Sequence, residues 1–529
     1  MDKTELNKLI TYLEENTRAD KVSGIEFIDP RNFKEKVRGK QNYVVFGRRG
    51  AGKSTLLKTL NKYDKSLTIY VNLEDYKDIT FPNIIIKVLQ YIKQEKEVDA
   101  YELLRYNPFK EYSWDKNLEE GLERILLYRL QGKLKLDREK SFFKKKNYFS
   151  TRKIVKKINS LINDLSEKLI EPDNYNERKK QIKKNSNEDS IGVSTKDVSA
   201  KSSYSSSSEF ESEHSWEIDK LNELKTSIDI NKNLINEIVE FSKTQLILIL
   251  DDFYFIPKDI QPFLLDYFHR LAKSNDFYLK IGTIKHRSHL YFQSSKSYIG
   301  MELNADVYDI DLDYTLDKWN ELKQFKRELL ETAINSSGAE FDIDSVFNEQ
   351  SFSQLCIASG GVPRDFLVLF IKSCQLINDK KLRITVPDVR EIAIQNFVNK
   401  KNALVKDSTD DSNILELYIN YLRDFVFKLR RTNVFLIEND SLNKNESIKQ
   451  VIRELVDLRF LHIIDNNTSA APSDGKRYSA YLLDVSLYDN GRPRNFKEVE
   501  PDIQTNRQGV RGAPRVTTIK LNDLHQKEE

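Results

Sequence analysis

The sequence is poor in the features that mark secreted and membrane proteins. It contains only two cysteines, Cys356 and Cys374, among 529 residues. This number is too small for a disulfide framework or a CxxC metal site, so we interpret both as small buried apolar residues in a reducing compartment. No apolar run approaches the roughly 20 residues that cross a bilayer, and residues 1–20 lack the apolar core of a signal peptide. We therefore expect a soluble, cytoplasmic protein that makes no membrane contact.

The chain also lacks a large excess of charge of either sign. It has 85 Lys and Arg against 82 Asp and Glu, a net charge of +3. Such a balance neither requires nor excludes a nucleic-acid partner, and only a local basic patch would argue for one. The length suggests about two to four domains.

One glycine-rich motif is complete. Residues 47–54 read GRRGAGKS and satisfy the pattern GxxxxGK[ST], between a short apolar strand at 42–46 and a helical pattern at 55–60. In this context the glycines let backbone N–H groups face an anion, the lysine reaches the β- and γ-phosphates of a nucleotide, and the serine hydroxyl binds magnesium. Arg48 and Arg49 occupy the variable positions, and solvent-facing side chains are the alternative there. The predicted nucleotide-contacting residues are Gly47, Arg48, Arg49, Gly50, Ala51, Gly52, Lys53, Ser54 and Thr55.

A pair of acids ends the next strongly apolar segment. Residues 245–252 read QLILILDD, and the apolar run is typical of a central parallel strand buried on both faces. After a phosphate-binding loop, Asp251 is expected to support magnesium together with Ser54. Asp252 is expected to orient the attacking water. The alternative is a pair of turn acids after a strand.

Three further segments supply polar candidates. Thr283 ends a predicted strand and is either a sensor of the γ-phosphate or a turn threonine. Lys285 and Arg287 either contact phosphate, project to a neighbouring subunit, or are surface charges. Arg364 lies in the GGVPRD segment at 360–365, in the first turn of a predicted helix. That helix end is already positive, so a nearby phosphate would explain the arginine, and a surface position is the alternative. The predicted catalytic residues are Lys53, Asp252, Thr283 and Arg364.

Composition and periodicity divide the rest of the chain. A polar stretch at 171–215 within an otherwise helical segment predicts an insertion with a disordered tip, either a surface feature or a partner- or nucleic-acid-binding arm. Helices followed by a hairpin predict a C-terminal winged helix. The predicted domains are a nucleotide-binding core (1–131 and 241–314), the insertion (132–240), a helical lid (315–400), the winged helix (401–490) and a flexible tail (491–529).

This order of motifs resembles the AAA+ ATPases of the origin-recognition and initiator type, and the related signal-transduction ATPases with numerous domains. The resemblance implies an α/β core with a parallel sheet flanked by helices, and ATP and Mg²⁺ as ligands. It places Lys53 and Ser54 in the Walker A loop and Asp251 in the Walker B position. It also places Asp252 at the catalytic acid, and Thr283 and Arg364 at the two sensors.

Two departures from the family pattern affect the expected activity. Most members carry glutamate where Asp252 stands, and the shorter side chain predicts slow hydrolysis. Sensor 1 is usually asparagine or arginine rather than Thr283. No segment offers a clear arginine finger, and Arg287 is the nearest candidate.

Three functions follow as hypotheses. The first is a slowly hydrolysing, ATP-driven switch that acts on a protein partner or nucleic-acid complex, with bacterial antiphage defence beside a co-encoded nuclease as one setting. The second is a DNA-binding initiator or loader, and the third a non-enzymatic ATP-stabilised scaffold. A homo-oligomer is expected. The predicted recognition helix carries Lys449, Arg453 and Arg459 as exposed cations, but acids interrupt that face. The wing adds Lys476 and Arg477.

Overall fold

The computed structural model describes residues 3–17, 27–62, 66–89, 224–242, 245–293, 298–378, 381–407, 412–488, 492–501 and 510–511. Most of the predicted insertion at 132–240, including its polar tip, lies outside the described residues. So does most of the predicted tail. Among the helices that are described, none is long and apolar enough to span a membrane.

A five-stranded parallel sheet forms the centre of the first half of the fold. Its strands lie in the order β2-β3-β4-β1-β7, and every neighbouring pair is parallel. The predicted α/β class is therefore confirmed. The strands are β1 (Tyr43–Phe46), β2 (Ser66–Asn72), β3 (Gln245–Asp251), β4 (Phe277–Thr283) and β7 (Tyr308–Asp311). A small antiparallel hairpin of β5 (Tyr291–Gln293) and β6 (Tyr298–Gly300) was not predicted, because three-residue strands carry too little periodicity.

Helices cover both faces of this sheet. Alternate residues of β3 face opposite layers: Leu246, Leu248 and Leu250 join one apolar cluster, and Ile247 and Ile249 join another. This division explains the uninterrupted apolar run, since a strand covered on both sides has no polar face. The helices of this half are α2 (Phe33–Arg38), α3 (Lys53–Lys58), α4 (83–89), α5 (Ile228–Ser242) and α6 (Gln261–Ala272), with α1 (Lys3–Asn16) preceding them in the chain.

The second half of the fold consists of a helical lid and a C-terminal domain. The lid contains α7 (Trp319–Ser337), α8 (Ile343–Val346), α9 (Glu349–Ala358), α10 (Pro363–Gln375), α11 (Val386–Gln395) and α12 (Phe397–Asp407). The C-terminal domain, residues 412–488, contains α13 (Ser412–Leu422), a π-helical turn (Arg423–Leu429), β8 (Val434–Glu438), α14 (Asn439–Lys444), α15 (Glu446–Asp457), β9 (Leu461–Thr468) and β10 (Tyr478–Leu483).

The C-terminal sheet is antiparallel, in the order β8-β10-β9. The β9–β10 hairpin lies where the sequence predicts it, but its third strand, β8, was not predicted. The lid and the C-terminal domain share a single continuous apolar core. They are therefore less separate than two predicted domains would suggest.

Two terminal segments pack differently from the expected boundaries. The apolar stripe of α1 is buried against α7 and α10, so this helix packs with the helices of the second half of the fold and not with the α/β sheet. Residues 492–501 of the predicted flexible tail are held in place. The Asn433 side chain donates to the Val499 carbonyl at 2.9 Å, and Arg390 pairs with Glu498 at 2.8 Å. The expectation of a flexible tail came from the polar composition of residues 491–529, and composition does not reveal polar contacts with residues far away in the sequence.

Candidate nucleotide-binding site

The carboxyl ends of the parallel strands bring the predicted site residues to one edge of the sheet. The glycine-rich loop follows β1, the two acids follow β3, and Thr283 ends β4 beside β1. Ligands of open parallel sheets bind at this edge, where loops from different strands converge. The structure thus joins residues that lie more than 200 positions apart in sequence.

The backbone of the loop has the form that an anion cradle needs. Gly50 and Gly52 have φ angles of 86° and 101°, in the left-handed region that side chains rarely adopt. The loop leads directly into α3 at Lys53, so the positive end of a helical turn adds to the converging N–H groups. The conformation therefore accounts for glycine at both positions and fits a bound phosphate chain.

Lys53 is a buried cation that lacks a paired acid. Its side-chain nitrogen donates to the carbonyls of Gly47 and Arg48 at 2.9 and 3.4 Å. Burial lowers the pKa of this ammonium, while the charges of Asp252 and Asp251 oppose that shift. Among the described residues it forms no ion pair. A buried ammonium beside an anion cradle fits a phosphate group as its missing partner.

Asp251 and Asp252 occupy different environments although they are adjacent. Asp251 is fully buried, and its Oδ1 accepts the N–H of Asp252 at 2.9 Å. Asp252 is half-buried and has a left-handed φ of 52°, a strained conformation that is typical of functional sites. Burial and the neighbouring Asp251 raise the pKa of Asp252 to about 6. This carboxyl therefore keeps proton-accepting strength near neutral pH, as a group that orients water requires.

Two residues at the site were missed in the sequence. The hydroxyl of Tyr70, on β2, donates to Asp251 Oδ2 at 2.5 Å. Gly282, on β4, is packed against the same carboxylate, because a Cβ there would lie 2.2 Å from Asp251 Oδ1. Both signals depend on strand order, which places β2 and β4 on either side of β3. A glycine inside a strand was the available hint of a close approach.

The donors around Asp251 suit magnesium. A carboxylate and the Ser54 hydroxyl are hard oxygen ligands, and Mg²⁺ usually takes one or two such protein groups with water and phosphate. The described residues contain no cluster of three or more His, Cys, Asp or Glu side chains that would hold a metal alone. The donor set therefore fits Mg²⁺ that enters together with a nucleotide.

Thr283 is buried, and its hydroxyl is hydrogen-bonded to that of Ser288. Its carbonyl accepts the N–H of Gly47 at 3.2 Å, which ties β4 to the start of the loop. Lys285 pairs with Asp311 at 3.7 Å, and the Arg287 guanidinium lies 5.5 Å from the ring centre of Tyr254. Both basic side chains therefore interact within their own chain.

Arg364 lies directly against the glycine-rich loop. Its backbone N–H donates to the Gly50 carbonyl at 3.3 Å, and a Cβ at Gly50 would lie 2.8 Å from Arg364 Cβ. The side chain is half-buried, and within the described part of the chain it forms no hydrogen bond or ion pair. Burial lowers its pKa, as does nearby Arg49. The lid thus brings a second cation without a paired acid to the cradle.

Arg48 is not the solvent-facing side chain that the sequence offered as an alternative to nucleotide contact. It is only 3% exposed, and its guanidinium contacts Asp313 at 3.3 Å and the Tyr314 carbonyl at 3.1 Å. The backbone N–H of Arg48 also donates to Asp313 at 3.0 Å. Sequence pattern could not reveal this, because Asp313 follows β7 and reaches the loop only through the strand order. The side chain joins the loop to the start of the lid.

The C-terminal domain is docked at the same edge of the sheet. Its helix α15 packs on the turn at Lys285–Arg287, where Gln450 donates to the His286 carbonyl at 3.2 Å. Lys258 pairs with Glu454 of α15 at 3.4 Å. The predicted recognition helix therefore contacts the α/β core in this structure.

Arg459 is another correction, since it was predicted to be exposed. It lies just after α15 with a left-handed φ of 68°, and only 8% of it is exposed. Its guanidinium donates to both oxygens of Asp365 at 2.8 and 2.9 Å. Because Asp365 is the neighbour of Arg364 on α10, a buried ion pair connects the C-terminal domain to the lid beside the loop.

A second buried polar group fixes the same junction. Asp484 pairs with Lys400 at 2.6 Å and with His462 at 2.7 Å. The His462 ring is packed on Gly360 of the GGVPRD segment, where a Cβ would lie 2.0 Å from the ring. Gly360 therefore permits docking of the C-terminal domain, while Gly361 permits close packing against the Tyr314 carbonyl.

No protein-family model matches the chain, and no curated protein matches its sequence. Two solved structures align along most of their length. The Orc1 protein of Aeropyrum pernix, in complex with DNA, is 13% identical, covers 92% of this chain and 90% of its own, and gives a TM-score of 0.30. A Walker-type ATPase of Pyrococcus abyssi is 13% identical, with 92% and 94% coverage and a TM-score of 0.31. At this similarity neither structure assigns a function to this chain.

Proposed function

We propose that the chain is an AAA+ ATPase that binds Mg²⁺–ATP at the glycine-rich loop and uses it as a conformational switch. The observation that carries the proposal is the convergence of Lys53 and Arg364 on one glycine cradle. Both cations lie there without a paired acid, beside Asp251 and Asp252. Buried charges are normally paired, so this arrangement is complete only with an anionic ligand. A triphosphate with its metal supplies charges of both signs.

Each side chain then has a role that its position permits. Lys53 and the loop amides hold the β- and γ-phosphates, and Ser54 with Asp251 holds the metal. Bound Mg²⁺ neutralises charge that develops on the phosphate oxygens. Asp252 orients the attacking water, and Arg364 contacts the γ-phosphate from the lid. Thr283 lies next to the cradle but already has a hydroxyl partner, so its sensor role is the least supported of the set.

Slow turnover is part of the proposal. Asp252 is one methylene shorter than glutamate, so its carboxylate reaches less far towards the attacking water. Arg287, the nearest candidate for an arginine finger, lies over Tyr254 of its own chain. Neither feature favours rapid hydrolysis, which suits a switch better than a motor.

The switching element that we propose is the docked C-terminal domain. Arg364 would be drawn to a γ-phosphate, and its neighbour Asp365 holds Arg459 of that domain. Movement of α10 would therefore form or break the ion pair between Asp365 and Arg459. Arg48 gives a second connection, since it joins the loop to Asp313. Differential contacts of this kind are what a ligand needs to shift a conformational equilibrium.

The DNA-binding alternative has less support in this conformation. Helix α15 is packed on the core, Arg459 is buried, and Lys476 of the wing pairs with Glu438 at 2.9 Å. Helix α15 could contact DNA bases only after the C-terminal domain is released from the core. The affinity for DNA, measured with and without ATP, therefore tests the proposed switch. The roles in antiphage defence, with a nuclease partner and in a homo-oligomer, stay predictions.

The decisive experiment measures ATP binding and steady-state hydrolysis for wild type, Lys53→Ala and Asp252→Asn, with and without duplex DNA. We expect Lys53→Ala to lose binding, and Asp252→Asn to bind ATP while hydrolysing it at least tenfold more slowly. Lys40→Ala, which replaces an exposed lysine at the opposite end of the sheet, is the matched control.

Binding without turnover in wild type would favour the scaffold hypothesis. Equal ATP affinity in wild type and Lys53→Ala would reject the proposed site. Mass measurement with and without ATP tests the oligomer.

A further inference from the structure

The carboxylate of Asp251 is held on both of its oxygens. Oδ1 accepts the N–H of Asp252 at 2.9 Å and faces Gly282, and Oδ2 accepts the Tyr70 hydroxyl at 2.5 Å. Asp251 itself is fully buried. A buried carboxylate with both oxygens engaged has its orientation fixed, so the direction of its remaining lone pairs is set by Tyr70 on one side and by backbone on the other.

Tyr70 reaches Asp251 from the neighbouring strand. Burial and Asp251 raise the pKa of the Tyr70 hydroxyl, and the Ser54 side chain opposes that rise. The register of the sheet explains the reach, because Tyr70 lies opposite Ile249, two positions before the Asn72–Asp251 pair at the carboxyl end. A long side chain from this position extends to the strand end, where a shorter polar residue would stop short.

We propose that Tyr70 is a positioning residue that holds Asp251 in the orientation that admits Mg²⁺. This inference rests on the proposed function, since it assigns an additional residue to the same site. Tyr70 acts through its hydrogen bond to Asp251. Partners that orient metal ligands commonly contribute roughly 10–100-fold to metal affinity.

The test is Tyr70→Phe, which removes one oxygen and keeps the ring. The measurement is binding of a fluorescent ATP analogue, first in EDTA and then across a Mg²⁺ titration. We expect unchanged affinity in EDTA and a Mg²⁺ midpoint raised by roughly tenfold. A packing defect would instead weaken binding in EDTA as well. The matched control is Tyr278→Phe, which removes a tyrosine–aspartate hydrogen bond (3.0 Å to Asp276) far from the loop.

Coupling to Asp251 provides an independent readout. In an Asp251→Asn background, Tyr70→Phe should not move the Mg²⁺ midpoint further, because its target carboxylate is gone. The comparison of Asp251→Asn with the double variant also works if Tyr70→Phe alone folds poorly, because an amide at position 251 leaves no buried charge without a partner. A further shift in the double variant overturns the inference, and so does an unchanged midpoint in Tyr70→Phe. In both of these outcomes, Mg²⁺-dependent binding of the analogue by wild type would still support the proposed function. Wild type that fails to bind the analogue rejects the proposed function and this inference with it.

Discussion

The ion pair between Arg459 and Asp365 gives the sharpest test of the docked C-terminal domain. We consider Arg459→Met, which keeps much of the side-chain volume and removes the charge. Both partners are about nine-tenths buried, with exposed side-chain fractions of 10% and 12%, and one guanidinium nitrogen, Nη1, donates to both carboxylate oxygens. Removal of one member of a buried pair costs about 3–5 kcal/mol, since the other charge stays buried and unpaired.

The lower end of that range applies here. Arg364 lies next to Asp365 and contributes to its electrostatic surroundings, so the carboxylate is not left without any cation. We therefore expect a loss of about 3 kcal/mol, or roughly 100-fold in the equilibrium for the docked state. The same argument predicts a second effect. Asp365, released from Arg459, draws Arg364 away from the γ-phosphate, so the affinity for ATP falls while that for ADP is nearly unchanged.

Trp319 can report the stability change, since it is 6% exposed within the core that the lid and the C-terminal domain share. Urea unfolding is followed by its fluorescence after Trp114 and Trp216 are replaced by phenylalanine. Arg327→Met is the matched control, because Arg327 also donates to both oxygens of an aspartate, Asp344, but on the surface, where such a pair contributes about 0–1 kcal/mol. The double variant Asp365→Asn/Arg459→Met should recover most of the loss. A cost for Arg459→Met no larger than that of Arg327→Met would refute the reasoning.

Two further predictions concern the site and its pH dependence. Gly282→Ala would place a Cβ 2.2 Å from Asp251 Oδ1 and should lower Mg²⁺-dependent ATPase activity by roughly 10–100-fold. Gly475→Ala strains the backbone of the β9–β10 loop, where φ is 78°, but its Cβ would meet no atom within 4 Å, so it should retain that activity. Burial raises the pKa of Asp457 from 3.8 to about 8, with Asp313 adding to the shift and Arg48 and Arg287 opposing it. Because the folded pKa exceeds the unfolded value, the stabilisation is complete below pH 3.8 and is lost progressively until the pH reaches about 8. The urea midpoint should therefore fall between about pH 5 and pH 8 and level off above about pH 8, and Asp457→Asn should reduce that fall. An equal slope in both proteins would contradict the assignment.

The local features of the core could be read from the sequence because they depend on near neighbours. The apolar run at 246–250 predicts a strand covered on both faces, and its alternate residues do enter two layers. The glycines of the loop predict left-handed backbone, which Gly50 and Gly52 adopt. Strand ends predict where polar candidates gather, since parallel strands present their carboxyl ends at one edge.

The docked arrangement at the lid was beyond such reasoning. Arg48 and Arg459 both look like surface arginines in sequence, because their acidic partners lie 265 and 94 positions away. The hydrophobic stripe of α1 predicts burial but not the surface that buries it, and the structure places it on the lid. Charge counts on α15 likewise indicated a mixed face without showing that the core covers it.

The sequence alone determined the glycine-rich loop, the buried acidic strand and the α/β class, since a glycine pattern, an apolar run and a strand–loop–helix order are properties of contiguous residues. Only the tertiary structure decided that Tyr70 and Gly282 enclose Asp251, and that Arg364 rests on Gly50. It alone also decided that the C-terminal domain is joined to α10 beside the loop through Asp365 and Arg459. The physical reason is that strand order and domain packing set which distant side chains meet. A buried charge is recognised as paired or unpaired only after those neighbours are known.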